Sequence, residues 1–507
     1  MYLIDIIKYY IYILEEFILK NGILINRNFY ETRVAYIKEG KLNNYFIESN
    51  DESSIVGNIY KAKVEKILPG IQSAFLDIGE DRSAFLHVKN LYVQHINKVD
   101  DVDIFDNMQI DKVLTVGQEI LVQVIKDPIS TKGPRVETLL SIPGRFMVFF
   151  PIGDKVGVSK RIPSDKERSR LKNIVKKYRP KDTAFIIRTA AQGVSEEVLK
   201  DDMRYTMLQW IDIVKRQKNV SAPNLLSKEL SLPLKVVRDY LENGDGILVD
   251  NENLYNEISH FLEVQMPKYK DKIALHTKSE SIFSSIEKEI RRLHNKRVYL
   301  KSGGDIIIEQ VEALTVVDVN TGRFTGKNLS HNEVILRTNM EAMEAVLEQL
   351  RLRDIGGIII VDFIDMNTHQ ERSTLIRHGI DLTKKDKAKV SILGLTELGL
   401  MQITRKRISD SLGRKSTVTC NICNGKGVIH SNESLTSKIY REILKKDEEE
   451  LLGKVLTIIT DKTLNEYLAN EISNFNKLKK EFSIKKIKTR VDKSLSFDSF
   501  YLQLTKK

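Results

Sequence analysis

The 507-residue chain is 41% hydrophobic and 29% charged, with a formal net charge of +11. It is too long for one hydrophobic core, so about three to five domains are expected. The basic balance favours a polyanionic partner, nucleic acid before anionic membrane, although a lysine-rich background supplies part of that charge. Two cysteines in such a length exclude a disulfide scaffold and point to a reducing compartment.

The first twenty residues, MYLIDIIKYYIYILEEFILK, are apolar and aromatic but carry Asp5, Lys8, Glu15 and Glu16. A spanning helix needs about 20 mostly apolar residues, so charges in mid-span argue against one. Neither a basic start nor a small-residue cleavage site marks a signal peptide. One reading is an amphipathic helix in peripheral contact with a membrane surface; another is an accessory segment, or translation from too early a start codon. No other stretch approaches a transmembrane segment, and the chain reads as cytoplasmic.

Residues 57–140 alternate in short runs broken by Gly, Pro and Asp, the pattern of an all-β region. The string SAFL occurs twice there, placing Phe75 and Phe85 on neighbouring strands. Five strands with exposed aromatics suit an OB-type barrel that stacks bases, while two core phenylalanines would give the same pattern. Residues 141–230 mix short strands with a basic helix, SDKERSRLKNIVKKYRP, and helical and mixed segments run on to about 293. The last eighty residues are lysine-rich, with a helical pattern around SKIYREILKKDEEELL and a basic end whose default reading is a solvated face.

The block from 303 to 366 carries the chemistry. VEALTVVDVNTG is an apolar strand ending at Asp318, with Asn320 two residues on and therefore on the same face. A helix follows, with Leu336, Met340, Met343, Leu347 and Leu350 as its apolar stripe and Gly356-Gly357 as its stop. IIIVDFIDM then forms a buried strand ending at Asp362. Strand, helix, strand implies parallel strands, so Asp318 and Asp362 meet at one sheet edge. Two carboxylates converging there share a cation or shift a pKa, and with no His or Cys in the pattern the cation is hard, Mg2+ or Mn2+. The plain alternative is that each Asp opens a loop or caps a helix, and Asp365 competes with Asp362 on spacing alone.

Further on, TCNICNGKGVI holds the only two cysteines, Cys420 and Cys423, at knuckle spacing. Structural zinc needs four ligands. His430 would supply a third and leave the site open, and a redox CxxC is less suited to the Gly-Lys-Gly that follows. A second copy of the chain completes the set economically, giving about one Zn2+ per two chains. A chaperone-type zinc knuckle would need repeated CxxCxGxG units, and there is one.

SGGDIIIEQVEALTVVDVNTGRFTG, QLRLRDIGGIIIVDFIDM and CNICNGKG, in that order, resemble the core of the ribonuclease E/G family over roughly residues 23–430. No long acidic or Pro-rich tail follows, so the resemblance is to the shorter, ribonuclease G type. It implies a multidomain α+β architecture: an N-terminal extension over 1–22, an RNase H-like subdomain split between 23–56 and 233–293, an OB-type RNA-binding barrel over 57–140, a 5′-sensor region over 141–232, a DNase I-like catalytic subdomain over 294–416, a zinc link over 417–429 and a small dimerisation domain over 430–507. By the same resemblance Asp318 and Asp362 ligate Mg2+, Asn320 holds Asp362, and Phe75, Phe85 and Lys132 contact RNA. Arg188 and Thr189 grip a 5′-monophosphate, with Lys389 where the family carries arginine, a change that keeps the charge and loses the bidentate fork. Asn421 stands where the family has proline after the first zinc cysteine, and residues 1–22 have no counterpart. The implied activity is a Mg2+-dependent endoribonuclease acting on single-stranded rRNA precursors, tRNA precursors and mRNA, leaving 5′-phosphate and 3′-hydroxyl ends, and working as a homodimer or homotetramer. The rival reading is a non-catalytic RNA-binding or ribosome-assembly protein on the same scaffold.

Overall fold

A computed structural model describes residue 18 and residues 20–51, 54–92, 109–128, 132–322, 330–407, 409–471, 473, 475–495 and 499–506. The extension expected at 1–22 lies almost wholly outside the described residues, as do residues 323–329 after the DVNTG string. Among the described residues no helix is long and apolar enough to cross a membrane. The chain forms two compact units, Met1–Lys415 and Ser416–Lys507.

The first unit begins with a sheet assembled from two distant parts of the chain. Its strand order is Ile273–Leu275, Gly246–Val249, Gly22–Arg27, Glu31–Lys38, Lys41–Ser49. The hairpin of the last two strands turns on Glu39 and Gly40, both with positive φ (52° and 71°), the backbone of a two-residue hairpin loop whose twist matches its strands. Gly22–Arg27 pairs parallel with Gly246–Val249, which forces everything between residues 50 and 245 to leave the sheet and return to it. Helices Leu232–Tyr240 and Glu252–Gln265 cover one face, the second capped by the Asn251 side chain accepting the Leu254 N–H at 3.0 Å.

The inserted stretch opens with strands Ile59–Leu68, Ser73–Asp77, Ala84–His87, Glu119–Lys126 and Arg135–Glu137. Neighbours pair antiparallel, except that the third and fifth run parallel, and the fourth returns to the first. That closes a five-strand, OB-like barrel around Ala62, Val64, Ala74, Leu76, Ala84 and Leu86. A four-stranded sheet follows, Val156–Val158, Ala184–Ile187, Met147–Phe150 and Ile142–Pro143 in that order, packed by helices Asp165–Tyr178 and Glu196–Asn219. The first of these is the basic helix of the sequence, and Ser164 caps it by accepting the Glu167 N–H.

The last sheet of this unit runs Arg297–Tyr299, Asp305–Gln310, Leu314–Asn320, Gly357–Asp362, Leu400–Arg405, Val390–Leu395. Helices His331–Leu352 and His369–Thr383 pack on one face, and each opens with a complete capping box, Ser330/Glu333 and Thr368/Glu371. The apolar stripe of the first helix is wider than its predicted spacing and turned from it. Ile335, Ala342, Met343, Val346, Leu347 and Leu350 are buried, whereas Leu336 and Met340 sit half-buried at the margin. The helix touches the sheet, its neighbouring helix and the hairpin strand Lys41–Ser49, so it buries more than one seam.

The helix stop is also a correction. Asp354, not Gly356-Gly357, takes the left-handed position (φ 47°), and the Ile355 N–H closes on the Leu350 carbonyl at 2.9 Å. Aspartate serves because its carboxylate is held by Arg405 Nη1 at 2.8 Å and Ser409 Oγ at 2.6 Å. Gly356 answers a different need, since a Cβ there would meet the Arg407 Cα at 2.7 Å.

In the second unit, Val455–Thr460 lies between Lys486–Val491 (parallel) and Phe500–Thr505 (antiparallel), and helices Asn432–Leu444, Lys462–Glu471 and Asn476–Glu481 supply the core. The helical pattern around residues 437–452 divides into Asn432–Leu444 and Glu448–Leu451, because Asp447 adopts extended backbone and starts a new helix.

Arg405 is the most consequential buried charge in the first unit. Its side chain is 4% exposed, and it donates to Asp386 Oδ2 at 2.8 Å, Asp354 Oδ1 at 2.8 Å and the Ile355 carbonyl at 3.2 Å. Removing it strands two carboxylates away from water. Arg405→Met is expected to cost about 3–5 kcal/mol of local stability. Hydrogen exchange across 354–362 and 386–390 should accelerate accordingly, and parent-like protection in both segments would contradict it.

Candidate active site and nucleic-acid interface

Strands Leu314–Asn320 and Gly357–Asp362 pair parallel, and their register sets Asp318 directly opposite Asp362. Neighbouring strands lie about 4.8 Å apart, so the two carboxylates stand side by side. Alternation decides their face. Val317, Val319, Ile359 and Val361 are buried under the helices, whereas Asp318 and Asp362 are exposed on the other side of the sheet. Asp365 lies beyond the strand end, without a register partner on the Asp318 strand. Asn320 shares the face of Asp318, and its Nδ2 donates to Asp318 Oδ2 at 2.9 Å. The expected link from Asn320 to Asp362 is therefore not the bond that forms, because a residue two positions along one strand reaches its own neighbour first.

One residue that supports this edge escaped the sequence reading. Asn339, fully buried in helix His331–Leu352, donates Nδ2 to the Ile364 carbonyl at 2.8 Å and accepts the Ile364 N–H at 3.1 Å. This two-way bond fixes the backbone two residues after Asp362. A polar residue among the mostly apolar buried positions of the helix, next to Thr338, was the signal available for it.

The pair has the chemistry of a hard-cation site: two exposed carboxylates, one oriented by an amide, with open directions for water or phosphate oxygens. Among the described residues no group of three His, Cys, Asp or Glu side chains could hold a metal ion. Mg2+, which keeps several waters and binds through one or two carboxylates, fits such a pair better than a cation that needs a full protein cage.

Phe75 and Phe85 are cross-strand partners in the barrel, ring centroids 5.8 Å apart at 67°. Their neighbours Ala74, Leu76, Ala84 and Leu86 fill the barrel, and both rings are half-exposed on its outer face, which sets aside the core alternative. Lys132 is exposed and begins the segment leading to Arg135, whose strand pairs with that of Phe85. Gly133 allows this approach, since a Cβ there would meet the Ser83 carbonyl oxygen at 2.0 Å.

Arg188, Thr189 and Lys389 line one cleft of 3470 Å3, whose lining includes neither carboxylate of the Asp pair nor the two phenylalanines. Arg188 Nη1 donates to Asp239 Oδ1 at 2.7 Å, and the Thr189 and Ser159 hydroxyls lie 2.9 Å apart. Asp239 is half-buried, and its partial desolvation pushes its pKa up, but the guanidiniums of Arg238 and Arg188 outweigh this and hold it below the usual carboxylate range. Lys387, hidden from the sequence reading inside a basic run, lines the same cleft, donates to the Asp239 carbonyl and lies 3.8 Å from the centre of the Tyr240 ring.

In the second unit, Cys420 is exposed and Cys423 half-buried. The chain curls under them with Asn424, Gly425 and Gly427 at positive φ, and the Gly427 N–H points at Cys423 Sγ at 3.4 Å. Backbone N–H groups of Cys423 and Ile422, together with the Cys423 thiol, hold the Cys420 thiol below its ordinary pKa. Donors aimed at sulfur favour thiolate, the form that binds zinc, so the knuckle fits half a tetrahedral set.

Lys387 keeps solvent-exposed surface on the cleft wall, but the protein atoms crowded around its ammonium partly desolvate it and push it down to about 8, against the opposing pull of Asp239 and Glu242. The unfolded chain then binds the extra proton between pH 8 and the ordinary lysine value, so this group's contribution to stability rises as pH climbs through that window. Acylation of Lys387, followed by mass spectrometry, is expected to inflect near pH 8. An inflection at the ordinary lysine value would contradict the desolvation argument.

Comparison with known proteins places these features in a family. The Ribonuclease E/G family profile matches residues 141–408. The chain is 39% identical over 458 residues to ribonuclease G of Haemophilus influenzae, covering 89% of this chain and 92% of that protein. It is 41% identical over 429 residues to ribonuclease G of Escherichia coli K12, covering 83% and 87%. It is 33% identical over 456 residues to ribonuclease E of Haemophilus influenzae, covering 88% of this chain but only 48% of that longer protein. With its carboxylate edge, OB-like barrel and cysteine knuckle, the chain belongs to the ribonuclease E/G family and is of the ribonuclease G type.

Proposed function

We propose that this protein is a Mg2+-dependent endoribonuclease that hydrolyses single-stranded RNA to 5′-phosphate and 3′-hydroxyl ends, in the processing of rRNA and tRNA precursors and the decay of mRNA. The observation that carries the reading is the register that sets Asp318 opposite Asp362 on an open sheet face. Asp318 and Asp362 hold the metal, and Asn320 keeps the Asp318 carboxylate turned toward it. Bound Mg2+ would lower the pKa of an attacking water and screen charge on the phosphate. Phe75 and Phe85 stack bases on the outer face of the barrel, and Lys132 meets the phosphate backbone. Arg188, Thr189 and Lys389 receive a 5′-terminal monophosphate in the cleft.

The same reading extends to the rest of the architecture. The sheet built from 22–49 and 246–275, with three antiparallel strands followed by two parallel ones, supports an RNase H-like subdomain into which the barrel is inserted. The sheet bearing the carboxylates corresponds to the DNase I-like subdomain. Cys420 and Cys423 provide half of a Zn2+ site completed by a second chain, and the residues beyond form a small dimerisation domain, giving a dimer or tetramer in the cytoplasm.

Asp318→Asn and Asp362→Asn should each lower cleavage of a 5′-monophosphorylated, AU-rich oligonucleotide by about 100-fold or more while RNA binding persists, and Asn320→Ala by about 10- to 100-fold. Product ends read with and without Mg2+ decide between hydrolysis and a binding-only role, and near-parental turnover in either aspartate variant would sink the assignment.

Metal analysis is expected to give about one zinc per two chains, because two thiolates supply half of four ligands. Cys420→Ser should lose the zinc and weaken self-association in light scattering. One zinc per chain, or unchanged assembly after loss of both cysteines, would refute the shared site.

A further inference from the structure

The cleft that holds Arg188 contains a second cation placed as firmly as the first. Lys387 lies between helix His369–Thr383 and strand Val390–Leu395, in a segment clamped from two sides. Asp386 accepts Arg405 Nε at 2.8 Å and the Ala388 N–H at 2.8 Å. Arg161, from the turn after strand Val156–Val158, donates to the carbonyls of Asp386 at 2.7 Å and Ala388 at 2.5 Å. Asp386 and Ala388 are buried, while Lys387 and Lys389 both line the cleft.

Lys387 and Arg188 converge on one residue. The ammonium donates to the Asp239 carbonyl, and the guanidinium to the Asp239 carboxylate at 2.7 Å. Neither cation is used up. An ammonium carries three N–H groups and a guanidinium five. The Asp239 carbonyl takes one from Lys387 and the Tyr240 ring face a second, and no acceptor for the third appears among the described residues. For Arg188, the Asp239 carboxylate is the acceptor recorded among them. That carboxylate is shared with Arg238, whose Nε and Nη2 lie 3.0 and 3.1 Å from its two oxygens, so it offsets only part of the charge.

A purely structural role explains this poorly. Arg161 and Arg405 already hold the segment, and an apolar side chain would cover Tyr240 without bringing a second cation to the cleft wall beside Arg188. Two cations with spare donors facing one cleft are suited to a dianionic group, which would relieve their mutual repulsion and accept from both.

We propose that Lys387 contacts the 5′-terminal phosphate of RNA together with Arg188 and sets the preference for monophosphorylated ends. The proposal rests on Arg188 and Thr189 forming the 5′-phosphate pocket, and it adds a specificity-determining residue to that pocket.

The test is the ratio of kcat/KM for one oligonucleotide carrying a 5′-monophosphate or a 5′-hydroxyl, measured for the parent, Arg188→Ala, Lys387→Gln, Lys387→Met and Lys387→Arg, with thermal midpoints alongside. Loss of one charge-assisted contact should lower the ratio about 10- to 100-fold in Lys387→Gln and Lys387→Met, through KM of the phosphorylated substrate. Lys387→Arg should restore most of it. A collapsed ratio in Arg188→Ala with a parental ratio in both uncharged Lys387 variants would make Lys387 a strut and leave the pocket standing. A parental ratio in Arg188→Ala as well would remove the pocket and the proposal together. Equal losses on both substrates, which keep the ratio, would likewise assign Lys387 to the fold.

Discussion

The parallel pairing of Leu314–Asn320 with Gly357–Asp362 is the constraint on which the candidate site depends. In a strand the side-chain period is two, so a slip of one residue would bury one carboxylate under the helices and destroy the pair. The hydrophobic alternation prevents that slip, because Val317, Val319, Ile359 and Val361 must all face the core together. Packing energy thus enforces a polar arrangement that would not assemble by itself, since two adjacent carboxylates repel. The connecting helix contributes from the other side: its Asn339 holds the Ile364 backbone two residues past Asp362.

A second theme is the use of arginines to join segments far apart in sequence. Buried Arg405 gathers the helix end at Asp354 and the segment at Asp386, and exposed Arg161 takes hold of the same segment from the turn after strand Val156–Val158. The Arg405 pairs are costly to desolvate and return most of that cost only when every donor is met, so their stabilising effect is modest and their geometric effect large. They set the place at which Lys387 and Lys389 enter the cleft. Arg353 stands apart, with its guanidinium pushed down to about 10 by burial and its Nη2 unpaired.

The barrel shows how one strand can serve stability and contact at once. Ala74, Leu76, Ala84 and Leu86 close the interior, which frees Phe75 and Phe85 to lie against each other outside it. An edge-to-face pair on a surface retains exposed ring area, the form in which aromatic groups meet planar ligands.

The sequence by itself determined much of the local order: the strand–helix–strand unit, the alternation that turns Asp318 and Asn320 to one face, the β-rich run that becomes the barrel, and the knuckle around Cys420 and Cys423. These follow from periodicity and turn chemistry, which act over a few residues. The motif strings also carried the family. Contacts between segments were not legible. That Asp354 ends the helix depends on Arg405, fifty residues away, making its strained backbone tolerable. That Asn339 is a brace and not a flaw in an apolar stripe depends on where Ile364 passes. That Lys387 is more than another lysine in KKDKAK depends on Asp239 and Tyr240 from a distant helix. Such placements come from the packing of whole elements, which brings together charges and carbonyls that no local pattern relates.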